Sequence, residues 1–296
     1  MEQKPIVAMM YDFDKTLSPK DMQEYAFIPG VGMNPDDFWE KSNQNMKEHN
    51  MDQILAYMLT MKQEAEGKML LTRDVFKELG KSVKLFNGVE SWFKRVNQYG
   101  EKLGVDVEHY IISSGLKEII EGTVIADEFK EIYAAEYCYN ERNIPIWPAM
   151  AVNYTSKTQF VYRINKGVLD VTEHRGLNEF TPENKRRVPF RNMIYIGDGL
   201  TDVPCMKLVK VNGGHSIAVY QEQKVDANNM IAKGRVDFIV EANYSENSSM
   251  EKTVFAVLDQ INATNKTIAL HLENYNSAEN DILEKQKRKW AKEASK

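Results

Sequence analysis

Two carboxylates one residue apart, Asp12 and Asp14, end the apolar run of AMMYDFDKTL, and a hydroxyl follows at Thr16. A strand alternates its side chains, but the alternation breaks where strand passes into loop, so both carboxylates can converge on one substrate. One can attack while the other moves protons. Two more polar clusters open from short apolar runs in the same way. YIISSGL, Tyr110 to Leu116, supplies Ser113, Ser114 and Gly115, and IYIGDGLTD, Ile194 to Asp202, supplies Asp198 and Asp202. Between them, SKTQFVYRI sets Lys157 at the start of a predicted helix whose apolar face is Phe160, Val161 and Ile164. Carboxylates, a hydroxyl and a lysine suit phosphoryl transfer. Phosphate monoesters are among the slowest compounds to hydrolyse unaided, and a carboxylate nucleophile divides the reaction into two easier steps. An anionic nucleophile approaching an anionic phosphate meets a repulsion of about 4 kcal/mol at 4 Å and an effective dielectric near 20, so cations must offset it.

The elements that would position these residues follow from hydrophobic patterning. Strands are expected at the run before Asp12 and at Val107 to Ile112, Glu131 to Tyr137, Met193 to Ile196, Ser216 to Tyr220 and Asp237 to Val240, separated by helices as in an open parallel sheet. Such sheets bind ligands outside the carboxyl ends of their strands, which is where Asp12, Ser113 and Asp198 fall. From Ser18 to Lys84 there is helical patterning instead, as in MDQILAYMLTMKQ, with helix starts at Asn34-Pro35 and after Thr72 and a stop near Gly80. The methionines here, Met46, Met51, Met58, Met61 and Met69, fit gaps between packed helices. Asn87 with Glu90 three residues on reads as an N-cap for a helix burying Val89, Trp92, Phe93 and Val96. In NERNIPIWPAMAV, Pro145 and Pro148 argue for a hairpin or loop over a central strand.

The order Asp-x-Asp, Ser, Lys, Gly-Asp-x-x-x-Asp resembles the four motifs of the haloacid dehalogenase superfamily, from about Pro5 to Glu241. The segment between the first two motifs resembles the helical, C1-type cap of its phosphoserine phosphatase-like branch. The resemblance implies an α/β fold with a Rossmann-like parallel sheet core, residues 1–17 and 85–263, an inserted all-helical cap, 18–84, and a charged helical tail, 264–296. It implies an aspartyl-phosphate on Asp12, with Asp14 as general acid and base. Mg²⁺ would be held by Asp12, Asp198 and the backbone carbonyl of Asp14, while Lys157 bridges nucleophile and phosphoryl oxygens. Ser113 would donate to a phosphoryl oxygen beside Thr16, Ser114 and Gly115, aided by amides at the start of a helix after Gly115. Asp202 would orient Lys157 or metal-bound water, and Gly197 and Gly199 would let backbone approach the ion. Ser114 competes with Ser113, which directly follows the apolar run, where the resemblance puts the hydroxyl. Lys166 and Lys185 compete with Lys157, though Lys185 lies in NKRRVPFR, a basic, proline-interrupted stretch that reads as exposed loop.

Two segments depart from the family pattern. The stretch from Gly167 to Asn192 lengthens the path from Lys157 to Asp198 and reads as an accessory loop near the site, its cluster of Lys185, Arg186, Arg187 and Arg191 a solvated face. Beyond Glu246, Val254, Val257, Leu258 and Ile261 would dock one helix, and a charged, projecting helix would follow from Glu279 past Trp290.

The 296 residues include 43% apolar ones, enough for a core plus an insertion, and a net charge of −5, which disfavours nucleic-acid binding through the phosphate backbone. Cys138 and Cys205 have neither metal nor redox spacing, and the five histidines show no ligand spacing. With no leader and no long apolar segment, the expectation is a cytoplasmic protein without membrane contact, acting on a small phosphorylated metabolite. The substrate stays open: Arg73, the only arginine in the cap, is its one candidate to clamp a substrate carboxylate. Competing readings are a phosphotransferase or mutase using the same aspartyl-phosphate, and a catalytically silent binder of phosphate ligands. A P-type pump would need membrane spans and a glycine after Thr16, and a dehalogenase would not carry Asp14.

Overall fold

The segment IVAMMY has no charged side chain, as a strand buried on both faces requires, and it forms β1 (Ile6–Tyr11) at the centre of the molecule. The computed structural model describes residues 4–294. After β1 come four helices, α1 (Phe27–Gly30), α2 (Pro35–Glu48), α3 (Gln53–Ala65) and α4 (Arg73–Gly80), before α5 (Val89–Leu103) and β2 (Asp106–Leu116). A short α6 (Lys117–Ile120) leads to β3 (Glu131–Tyr139) and β4 (Pro145–Met150), and α7 (Lys157–Lys166) and α8 (Arg175–Asn178) lead to β5 (Met193–Gly197). Helix α9 (Val203–Val211), β6 (His215–Tyr220), α10 (Val225–Ala232) and β7 (Phe238–Glu241) follow, and α11 (Ser249–Ala294) comes last.

The sheet has seven strands in the order β4-β3-β2-β1-β5-β6-β7. All neighbours are parallel except the edge pair β3 and β4. From β1 the chain builds outward through β2 and β3, then crosses to β5 and builds the other way. The reversal lies between β1 and β5, where open α/β sheets form their ligand crevice. Register aligns the strand ends there: Tyr11 pairs with Ile111 on one side and Ile196 on the other, and the Asp12 amide donates to Ile196 O at 2.9 Å. Asp198, just past the end of β5, and Ser113, at the irregularity in β2, therefore come level with the Asp12 end of β1.

Alternation along β1 feeds two cores. Val7, Met9 and Tyr11 pack with Trp92 and Phe93 of α5 and with Val254 and Leu258 of α11. Ala8 and Met10 pack with Phe160 and Ile164 of α7 and Cys205 and Met206 of α9. The segment 18–84 holds helices joined by turns and irregular stretches, and its one β-contact is an isolated bridge from Ser18 to Asp14. Asn34 caps α2 by accepting from the Asp37 amide at 2.9 Å, and Thr72 caps α4 by accepting from the Val75 amide at 3.2 Å. Met58 and Met61 are fully buried among these helices.

Three local expectations are corrected. The residue before α5 is Gly88, at φ 83°, and not Asn87. A Cβ at Gly88 would lie 2.4 Å from the Tyr244 and Ser245 backbone, so a close chain approach selects glycine there. Strand β2 continues past Ile112 to Leu116 through an irregularity in its pairing with β3. The proline-bearing segment is, as expected, no central strand: it forms β4, which folds back antiparallel on β3 as a hairpin at the sheet edge, where a missing N–H is tolerated. Finally, the basic residues of 167–192 lie away from the strand ends that carry Asp12. Arg187 forms two bonds to Glu108, early in β2, and Arg186 donates to Asn165 Oδ1 at 2.7 Å.

Helix α11 buries Val254, Val257, Leu258 and Ile261 against the core, whereas its described side chains from residue 269 onward are exposed, Trp290 among them. Among the described residues, no helix is long and apolar enough to cross a membrane. Cys138 and Cys205 are unpaired.

Candidate active site

The motif residues, far apart in the chain, meet where β1, β2 and β5 end. Lys157, 1% exposed on the first turn of α7, donates to Asp12 Oδ1 at 2.8 Å and to Asp202 Oδ1 at 2.7 Å. Its two rivals lie elsewhere: Lys166 donates to the carbonyls of Leu177 and Glu179, and Lys185 is exposed. Asp202 is fully engaged, taking a second bond at Oδ1 from the Tyr195 hydroxyl at 2.8 Å and one at Oδ2 from the Gly199 amide at 3.3 Å. Gly197 serves this carboxylate, since a Cβ there would fall 2.6 Å from Asp202 Cγ. Its freedom from a side chain thus makes room for Asp202, a correction to the expectation of backbone approaching an ion.

Asp14 is half-buried, and its Oδ1 accepts from the Met22 amide at 2.7 Å. Its Oδ2 lies against Gly115, where a Cβ would come within 2.8 Å. Ser113 is buried and its Oγ accepts from the Gly115 amide at 3.0 Å, while Ser114 uses its carbonyl to accept from Tyr57 of α3 at 2.8 Å. The Leu116 amide meets Met22 Sδ at 3.2 Å. The helix expected after Gly115 is α6, which opens at Lys117 and has four residues, while the amides of Gly115 and Leu116 before it have partners within the protein. Thr16 is fully buried and its hydroxyl has no hydrogen-bond partner. Arg73 pairs with Glu136 at 3.3 Å and lies over the Tyr139 ring at 4.5 Å, so it is already engaged at the end of β3.

Electrostatics mark the cluster as short of positive charge. Burial, then the charges of Asp12 and Asp202, lifts the Asp198 carboxyl to about 8. Burial lifts Asp12 to about 6, with Lys157 pulling it down and Asp202 pushing it up. Burial, then Asp21 and Asp12, holds Asp14 well above the ordinary carboxylate range. Lys157 is held charged: burial opposes this, but Asp12 and Asp202 outweigh it and raise its pKa.

Oxygens of Asp12, Asp198 and Asp202 can lie within 4.8 Å of one another. With Asp202 committed to Lys157, Tyr195 and Gly199, the donors for a cation are Asp12 and Asp198. Two carboxylates with room for water are a donor set that fits a hard divalent ion beside a phosphate.

Three neighbours of the motifs carry no signal in residue type alone. Lys15 lies in the left-handed region at φ 59° and donates to Asp21 Oδ2 at 2.8 Å; Met22 covers Gly115; Tyr195 braces Asp202.

A family model described as haloacid dehalogenase-like hydrolase matches residues 9–207. An uncharacterized protein of Borreliella burgdorferi is 27% identical over 279 residues, covering 84% of this chain and 95% of that one. Among solved structures, a substrate-bound phosphoserine phosphatase complex is similar with a TM-score of 0.53 and 13% identity, over 85% of this chain and 98% of its own. A probable phosphoserine phosphatase from Vibrio cholerae, unliganded, gives 0.54 at 12% identity, over 88% and 67%. A HAD family hydrolase from Salmonella enterica subsp. enterica serovar Typhi gives 0.52 at 15%, over 81% and 69%. These likenesses show a shared α/β fold, and the match across two thirds of the chain, with its motifs gathered at one crevice, shows more: the chain belongs to the haloacid dehalogenase-like hydrolase family.

Proposed function

We propose that this protein is a Mg²⁺-dependent phosphatase that hydrolyses a small phosphomonoester through an aspartyl-phosphate on Asp12. The observation that carries the reading is the buried Lys157 ammonium, shared between Asp12 and Asp202 with the Asp198 carboxylate beside them. A lysine so placed fixes the nucleophile and presents positive charge to the phosphoryl group it attacks.

In the first step an Asp12 oxygen forms a bond to phosphorus as the ester P–O bond breaks. Asp14, whose raised pKa favours a protonated carboxyl, gives its proton to the departing alkoxide. In the second step Asp14 takes a proton from the water that attacks the aspartyl-phosphate, releasing phosphate and restoring Asp12. Ser113 donates to a phosphoryl oxygen, and its present bond from Gly115 leaves the hydroxyl proton available. Thr16, Ser114 and Gly115 shape the phosphate site around it. Mg²⁺, held by Asp12, Asp198 and the Asp14 carbonyl, would supply charge neutralisation that Lys157 alone does not complete. Asp202 acts through Lys157, holding it by one oxygen.

We read residues 18–84 as the cap that closes over this site to exclude bulk water, on a core of 1–17 and 85–263 with 264–296 as tail. With Arg73 engaged by Glu136, the cap offers no arginine for a substrate carboxylate, so phosphoserine has no special claim among small phosphate esters.

The test is a panel of phosphorylated metabolites assayed with and without Mg²⁺, run beside Asp12→Asn. Turnover should need the metal and fall by about 10⁴-fold or more in the variant, the scale expected for removing a nucleophile. Normal turnover by Asp12→Asn would end the assignment.

A further inference from the structure

The loop from Asp14 to Met22 is built with a device that ordinary fold stability does not demand. Lys15 adopts φ 59°, a left-handed conformation that is unfavourable for a residue with a Cβ. Within this turn the amides of Thr16, Leu17 and Ser18 all point to Phe13 O, at 3.3, 2.9 and 3.1 Å. The conformation sends the Lys15 side chain across the loop to Asp21 Oδ2, at 2.8 Å. Both partners retain solvent contact, with side chains 47% and 23% exposed, and an ion pair of that kind contributes little to stability. Its geometric consequence is larger. Asp21 is the residue before Met22, the Met22 amide donates to Asp14 Oδ1 at 2.7 Å, and the Met22 side chain closes on Gly115 and the Leu116 amide. Asp14 is thereby set between the Met22 backbone on one side and Gly115 on the other.

We propose that the Lys15–Asp21 ion pair is a clasp that positions the Asp14 carboxyl for proton transfer, by pinning the loop that delivers the Met22 amide to it. Lys15 and Asp21 are positioning residues; neither bonds to Asp12, Ser113 or Lys157 in the structure. The inference rests on the reading of Asp14 as general acid and specifies how this chain orients it. The clasp also ties the acid to the entrance of the helical segment, because α1 begins five residues after Met22. A carboxyl held by one amide can rotate about its side-chain torsions, and proton transfer needs it within hydrogen-bond reach of the leaving oxygen. Loosening the loop therefore costs most where the leaving group needs a proton most.

The experiment uses the full chain and a graded series of aryl phosphates, para-nitrophenyl, phenyl and para-methoxyphenyl phosphate, with kcat/KM plotted against leaving-group basicity. Para-nitrophenolate departs with little protonation, and the other two depend on it. Asp21→Asn, which opens the clasp but keeps the Lys15 charge, should lower kcat/KM for phenyl and para-methoxyphenyl phosphate about 10-fold more than for para-nitrophenyl phosphate, within the range that general acids contribute. Lys15→Met should steepen the dependence similarly, and Lys15→Arg, which retains the pair, should restore most of the native slope. An equal fall for all three esters, or none, overturns the clasp. Asp14→Asn is the reference. If it steepens the slope while Asp21→Asn does not, the clasp alone is wrong. If Asp14→Asn lowers all three equally, the general-acid reading fails first and the clasp with it.

Discussion

The two ends of the same strands hold their charges in opposite ways. At the carboxyl ends, Asp12, Asp198 and Asp202 gather round the Lys157 ammonium and remain short of positive charge. Toward the amino ends, Glu108 of β2 stands alone among donors: Arg187 grips it with two nitrogens, Lys130 bonds to it, and the Tyr110 hydroxyl donates at 2.6 Å. Burial would raise the Glu108 pKa, yet these partners depress it to about 2. A cluster with its charges matched is finished and holds structure together. One that leaves carboxyls crowded in a buried place is kept that way at a cost in stability, which is where perturbed groups of functional sites are found.

Three substitutions press on that contrast. The largest effect is expected from Lys157→Met, which leaves Asp12 and Asp202 buried without their shared cation. Breaking a buried pair in this manner costs about 3–5 kcal/mol, measurable by urea unfolding, and turnover should collapse with it. A variant of native stability would show that the carboxyl-end cluster is no more strained than the amino-end one.

Next comes His109, also in the amino half of β2 and 2% exposed. Trp92 Nε1 donates to the Tyr11 hydroxyl at 3.0 Å, that hydroxyl lies 3.1 Å from His109 Nδ1, and His109 Nε2 lies 2.9 Å from Asn97 Oδ1. The tautomer that donates to Asn97 and accepts from Tyr11 satisfies all of them. Burial lowers the imidazole pKa to about 3. Below the unfolded value near 6.5, the unfolded chain binds a proton that the native one refuses, so this contribution to stability is complete above that pH and declines as pH falls. At pH 5 the loss is about 2 kcal/mol. Urea midpoints between pH 7 and 5 should drop accordingly, and His109→Gln should flatten the slope. An unchanged slope in that variant would mean the amino half does not enforce neutrality.

The smallest effect belongs to Glu108→Gln. Its partners are partly solvated, so the expected loss is about 1 kcal/mol at pH 7. Because the Glu108 pKa is depressed, the stabilisation is present above the usual glutamate value and disappears as pH falls toward 2, where wild type and variant should converge. Phosphatase turnover should be unaltered. A rate change would tie the two ends together and spoil the distinction.

What could be read from the chain, and what could not, follows how local each cause is. Asp12, Ser113 and Asp198 were legible because each comes at the end of a short apolar run, and the register of β1 with β2 and β5 then brings them level. Lys157 was legible from the amphipathic pattern of α7, whose Phe160, Val161 and Ile164 are buried. Gly88 was not, since its requirement comes from the chain at Tyr244 and Ser245, far along the sequence. Arg187 reads as a solvated base until its partner Glu108 is known, and Arg73 reads as a substrate clamp until Glu136 is placed beside it. Lys15 sits inside the most conspicuous motif, yet its contact depends on a left-handed turn that residue type does not announce.

The central place of β1 has a consequence for how the molecule comes into being. The first strand made is flanked by β2 and by β5, so Met10 must wait for Tyr195 before its second edge is covered. A ribosome will therefore have released Asp12 long before Asp198 and Asp202 exist to stand near it. Contacts of such long sequence separation form late and slowly. Assembly of the site, on this topology, waits for β5 and the turn after it, and a fragment ending before β5 would leave one edge of its innermost strand uncovered.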